Sequence, residues 1–182
     1  RKKGNTLSYY INGTFLESKT YNYFDGKKVG VHVYDKQKVA IGYIKVTQLS
    51  GNPLVVNTTK KTTTNTQSKT ILFEGFNSSS NPNNWSISNN SSVEFKISSG
   101  DYIIDHKRSS GGYSSTIVKK YDTSRNFRIS AQMKHVSGIK TNGYGLVFGR
   151  KDNSNQNQFF ISPSGSFIVS KYVDGKRTYI KN

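Results

Sequence analysis

Apolar and polar residues alternate in short stretches, and no stretch of a dozen residues repeats apolar positions at i, i+3, i+4 and i+7. The pattern predicts strands. Leu7, Tyr9 and Ile11 share one face of the first, and Asn12-Gly13 then supplies the positive φ that a tight hairpin needs before Phe15. Val29, Val31 and Val33 form one face of the next, with Gly30, His32 and Tyr34 on the other. A turn at Lys36-Gln37-Lys38 leads into Val39 to Val46, where the apolar phase slips from Val39 and Ile41 to Ile44 and Val46. A β-bulge near Gly42 and Tyr43 accounts for the slip.

The alternation fades between Ser50 and Lys69, where Thr, Asn, Lys and Ser dominate, and this stretch reads as a linker. Strands resume at Ile71 to Phe76, Val93 to Ile97, Tyr102 to Lys107, Ser115 to Lys120, Phe127 to His135, Tyr144 to Arg150, Gln158 to Ser162, Phe167 to Tyr172 and Thr178 to Ile180. Turn residues punctuate them, among them Ser99-Gly100, Gly111-Gly112, Ser164-Gly165 and Asp174-Gly175. Short strands at this spacing predict an all-β fold, a sandwich or barrel of antiparallel strands.

Residues Tyr144-Gly-Leu-Val-Phe-Gly-Arg150, Asn157-Gln-Phe-Phe-Ile-Ser162 and Gly165-Ser-Phe-Ile-Val-Ser-Lys-Tyr172 resemble the concanavalin A-like lectin and glucanase superfamily in its LamG-like form. Ile71-Leu-Phe-Glu-Gly-Phe-Asn77 with Trp85 resembles the opening of such a module. Gly4 to Gly13 and Val29 to Val46 resemble its closing strands. The resemblance implies a jelly-roll β-sandwich with an unusual order: closing strands in 1–49, a linker in 50–69, and opening and central strands in 70–182. Three arrangements satisfy that order. The chain is a piece of a longer tandem-repeat protein, or its first strands fold back on the later ones as a circular permutant. In the third, the strands bearing Leu7, Tyr9, Ile11, Val29, Val31 and Val33 complete a neighbouring chain, head to tail, and build a filament.

Composition narrows the chemistry. The 182 residues carry 27 Lys and Arg against 10 Asp and Glu, a net charge of +17, and 13% are aromatic. A solvated surface and a polyanion-binding surface both fit that charge. No cysteine is present, which excludes disulfides and thiolate metal sites. No long apolar run or signal segment appears, so membrane insertion is not expected. The chain starts at Arg1, which suggests a processed or cut product.

Glycoside hydrolysis requires two carboxyl groups facing across the scissile bond. Glu17, Glu74 and Glu94 are isolated, and the Glu-x-Asp-x-x-Glu strand of the glucanase branch is missing. An enzyme is therefore not expected. His32, His106 and His135 lack close metal-ligand spacing, and Asp101, Asp105 and Asp152 fall short of a calcium loop, so no cofactor is expected. No helix is expected for a DNA groove and no RNA-binding aromatic motif appears, which argues against specific nucleic-acid recognition. The expected function is non-catalytic adhesion or binding of a glycan or cell-surface polymer, outside the cell or at its surface, with copies of the chain itself as further partners. The candidate contacts are His106, Arg108 and Tyr113 around the Ser109 to Gly112 turn, with Tyr144, Arg150 and Tyr172. Tyr144, Leu146, Phe148 and Arg150 are expected on one side of their strand.

Overall fold

The computed structural model describes residues 1–20, 26–50, 68–77, 80–119 and 121–181. Most of the expected linker therefore lies outside the described residues. The strands, in chain order, are β1 (Lys2–Lys3), β2 (Thr6–Ile11), β3 (Thr14–Thr20), β4 (Lys28–Tyr34), β5 (Gln37–Gln48), β6 (Lys69–Glu74), β7 (Ser88–Asn89), β8 (Val93–Ser98), β9 (Asp101–His106), β10 (Gly112–Val118), β11 (Phe127–Gly138), β12 (Tyr144–Arg150), β13 (Gln156–Ile161), β14 (Phe167–Val173) and β15 (Lys176–Lys181). The described residues contain no helix. The fold is all-β, two antiparallel sheets forming a sandwich.

One sheet runs β3-β2-β1-β11-β5-β9-β8-β7, with β6 also on β5; the other runs β10-β4-β12-β13-β14-β15. β4 and β5 thus lie inside the two sheets, while β3, β2 and β1 form one end of the larger sheet. Val29, Val31 and Val33 pair with Ile117, Ser115 and Tyr113 on one side and with Phe148, Leu146 and Tyr144 on the other. β11 accompanies β5 along its whole length, while β9 pairs with Gln37 to Ile41 and β6 with Ile44 to Gln48. Gly42 is the bulged residue between the two halves, because Gln132 pairs with Tyr43 and Met133 with Ile41. That extra residue brings Ile41 and Ile44 to the same face, and both are fully buried.

Turn chemistry explains the hairpins. Asn12-Gly13, Ser99-Gly100 and Asp174-Gly175 each place two successive residues at positive φ, the twist that suits a two-residue hairpin. The Lys36 turn falls one residue earlier than expected: Asp35 takes the positive φ of 52° and Gln37 already belongs to β5.

Between the sheets lies one core, with Val39, Ile41, Ile44, Val46 and Ile104 facing Val29, Val31, Val33 and Phe148. Tyr102 stacks on Phe76 at 5.3 Å and packs against Trp85 at 5.4 Å. Gly145 lets two strands approach closely: an added Cβ would stand 2.2 Å from the Phe159 carbonyl oxygen.

Candidate functional site

The six-stranded sheet turns its other face away from this core, and a groove of about 450 Å³ crosses it. Register decides what the groove contains. With the valines of β4 inward, His32 and Tyr34 alternate outward; Ser114 pairs with His32, Gln158 with Val147, and Tyr172 with Gln156. Its floor is closed: Gln158, Phe160 and Ser170 are buried although they do not face the inter-sheet core.

Arg150 reaches this face through a bulge. Phe148 pairs with Val29 and Arg150 with Lys28, so Gly149 is the extra residue, at φ 57°. The sequence pattern put Arg150 with Tyr144, Leu146 and Phe148; the bulge reverses its side. The Gly149 N–H donates to Tyr121 Oη at 3.2 Å and its carbonyl accepts from the Gly26 N–H at 3.1 Å, which hold the kink.

Aromatic rings form one wall. His32 and Tyr34 meet at 4.3 Å, and Phe160 lies 5.5 Å from His32 and 5.4 Å from Tyr34. The Arg177 guanidinium lies 4.6 Å from the Tyr179 ring centre, 5.6 Å from Tyr172 and 5.9 Å from Tyr34. It donates from Nε to Ser170 Oγ at 3.2 Å and from Nη2 to Gln158 Oε1 at 3.4 Å. Two neutral groups and three rings hold this cation in place.

Polar groups converge from the other wall. Asn153 accepts from Arg150 through its side chain and from Gln156 Nε2 through its carbonyl at 3.2 Å. Ser114 Oγ lies 2.6 Å from His32 Nδ1. Among the described residues, His32 Nε2, Arg150 Nε and Gln156 Oε1 are buried without a hydrogen-bond partner. Burial, then the positive charges of Arg150, His106 and Arg177, push the His32 pKa down to about 3, so its ring is neutral. Burial also lowers Arg150, against the pull of Asp152. Burial and a hydrogen bond with Tyr172 push the Tyr34 phenol up to about 12. The groove lining contains no Asp or Glu, and among the described residues neither Arg150 nor Arg177 forms an ion pair.

Of the residues singled out in the sequence, Arg150 and Tyr172 line this groove, and Tyr113 borders it while turning its ring inward to Phe95 and His106. His106 is fully buried behind Tyr113, with ring centres 5.0 Å apart. Arg108 is exposed and lowers the Tyr113 phenol after Ser92 does so. Tyr144 is buried on the inner face, against His135 at 6.3 Å. Sequence reading missed His32, Tyr34, Gln156 and Gln158 as groove residues, and Arg177, which packs against Tyr34 and Tyr172. The signal for the first two was their alternation opposite the valines.

Glu74, Glu94, Asp105 and Asp152 are engaged in other contacts. Glu74 accepts from the Phe76 N–H at 3.1 Å and from Asn83 Nδ2 at 2.6 Å, Glu94 pairs with Lys96 at 3.0 Å, and Asp105 with Lys38 at 2.8 Å. Asp152 caps its own turn by accepting from the Ser154 N–H at 2.8 Å. No three of His, Cys, Asp and Glu converge among the described residues.

A wider cleft of about 690 Å³ opens between the sheets, lined by half-buried Ile129, Ala131, Met133, Leu146, Phe159 and Ile161. It is an apolar continuation of the core, and the convergent polar groups belong to the smaller groove. Comparison with protein-family models, curated proteins and solved structures finds no match.

Proposed function

We infer that this protein is a non-catalytic, extracellular carbohydrate-binding module, built as a jelly roll of the concanavalin A-like kind. The observation that carries the reading is the groove itself, where tyrosine rings, amide side chains and Arg150 converge over a closed floor, with Arg177 packed against Tyr34 and Tyr172 beside it. Sugars present apolar C–H faces and hydroxyls together, which rings and planar amides meet together. No metal is needed for such contacts.

A glycan array followed by calorimetry on the strongest hit tests this. Replacing Tyr172 by Ala removes one ring and is expected to weaken binding about tenfold, in line with one aromatic contact of about 1–1.5 kcal/mol. Tyr10, exposed on β2, serves as the control. Equal binding by Tyr172→Ala, Gln156→Ala and the unmodified chain would place the ligand elsewhere.

A second reading, assembly by strand complementation, is favoured by the edge of β11. Among the described residues β1 meets β11 at Phe127 alone, so β11 has no ladder partner on that side from Arg128 onward. Free edges of this kind accept another strand. Sedimentation across a wide concentration range tests it: a concentration-independent monomer mass contradicts this second reading.

A further inference from the structure

The groove has Arg150 in its lining and Arg177 packed against its tyrosines, and among the described residues its lining holds no carboxylate. Arg150 and Arg177 reach it from opposite sides, on β12 and β15, and both are near enough to His32 to act on its charge. Across the sheet face they are connected through Gln156, which pairs with Tyr172, which in turn pairs with Arg177. Protein groups satisfy them incompletely: Arg177 meets only neutral oxygens and rings, and Arg150 keeps a buried Nε without an acceptor. Both guanidiniums are half-buried and, among the described residues, neither has an ion-pair partner, so an anionic oxygen from a ligand would add a charge-assisted bond.

We propose that the groove selects an acidic glycan, holding a carboxylate or sulfate of one sugar unit at Arg150 and Arg177 while the tyrosine rings face the sugar itself. This rests on the carbohydrate-binding reading above and specifies its substrate class. Guanidinium groups suit both anions because their planar forks donate two parallel bonds. General surface charge is a different cause of the same preference, since the chain carries a net +17. Exposed lysines distinguish the two. Lys134 on β11 is one such residue, outside the groove lining.

The test is calorimetry of the whole chain with oligogalacturonate, a sulfated galactan oligosaccharide and a neutral galactan oligosaccharide of equal length, at physiological ionic strength. The acidic ligands are expected to bind at least about tenfold more tightly than the neutral one, as charge-assisted bonds exceed neutral ones. Arg150→Gln and Arg177→Gln are expected to abolish that preference by weakening the acidic ligands at least about tenfold more than the neutral one, whereas Lys134→Gln changes nothing. The ratio of the two acidic affinities identifies the preferred anion. Equal affinity for acidic and neutral ligands overturns the acidic selectivity and leaves glycan binding standing. A preference lost equally in Lys134→Gln and in the arginine variants also overturns it, because surface charge then suffices. Absence of binding to a broad glycan array as well as to these three ligands overturns both readings. Circular dichroism of each variant confirms that it is folded.

Discussion

Arg150 pairs with Lys28 across β12 and β4, on the face of His32, because Gly149 intervenes after the Phe148–Val29 pair. One residue at φ 57° therefore moves a cation from the core side to the groove. Gly149→Val puts a β-branched residue in the left-handed region and is expected to cost about 2 kcal/mol. Asn tolerates that region better, so Gly149→Asn is expected to cost less than Val. Urea denaturation measures both. Equal losses would mean that steric demand, rather than backbone conformation, governs the site.

Tyr102 connects the two sheets. Its hydroxyl lies 2.7 Å from Ser115 Oγ on β10 and 2.8 Å from the Ser86 carbonyl, and burial pushes its pKa up. Tyr102→Phe keeps the stack on Phe76 but removes the hydroxyl's bonds to buried Ser115 Oγ and to the Ser86 carbonyl. The expected loss is about 1–3 kcal/mol with an unchanged denaturant slope. Ser115→Ala in the same background should then add little, since the two changes remove one shared contact.

Acid should weaken the fold before the carboxylates titrate. His32 is pushed down to about 3 by burial and by Arg150, His106 and Arg177, and burial lowers His106 as well. An unfolded histidine titrates near 6.5, so between that pH and the folded value the unfolded chain binds more protons. The stabilising contribution is complete above about pH 6.5 and declines as pH falls. For His32 alone the loss from pH 7 to 5 is about 2 kcal/mol. Asp122, held low by Ser124, matters only below about pH 4. Thermal melts of the unmodified chain and His32→Gln check this: the variant should show the shallower decline between pH 7 and 5.

Strand positions were legible because alternation and turn residues are local signals. The strand over Tyr144–Arg150 and the hairpin turns at Asn12-Gly13, Ser99-Gly100 and Asp174-Gly175 stand where the pattern put them. The bulge at Gly42 was legible for the same reason, since a phase slip in a long apolar strand has a local cause. The bulge at Gly149 was not, because Arg150 is the strand's last residue and no later apolar position reveals the slip. The groove was legible only in part. Tyr113, Arg150 and Tyr172 come from β10, β12 and β14, and which side chains join them depends on pairings between strands far apart in sequence. Alternation left His32 opposite the valines without indicating that Gln158 and Arg177 would stand beside it.

The central claim, that the outer groove is the binding site, is tested most directly by titrating the isotopically labelled chain with neutral and acidic galactan oligosaccharides and following its backbone amide resonances. The account predicts that the largest shifts fall on His32, Arg150, Gln156, Gln158 and Tyr172. Shifts centred on Ile129, Ala131 and Met133 beside the inter-sheet cleft would contradict it.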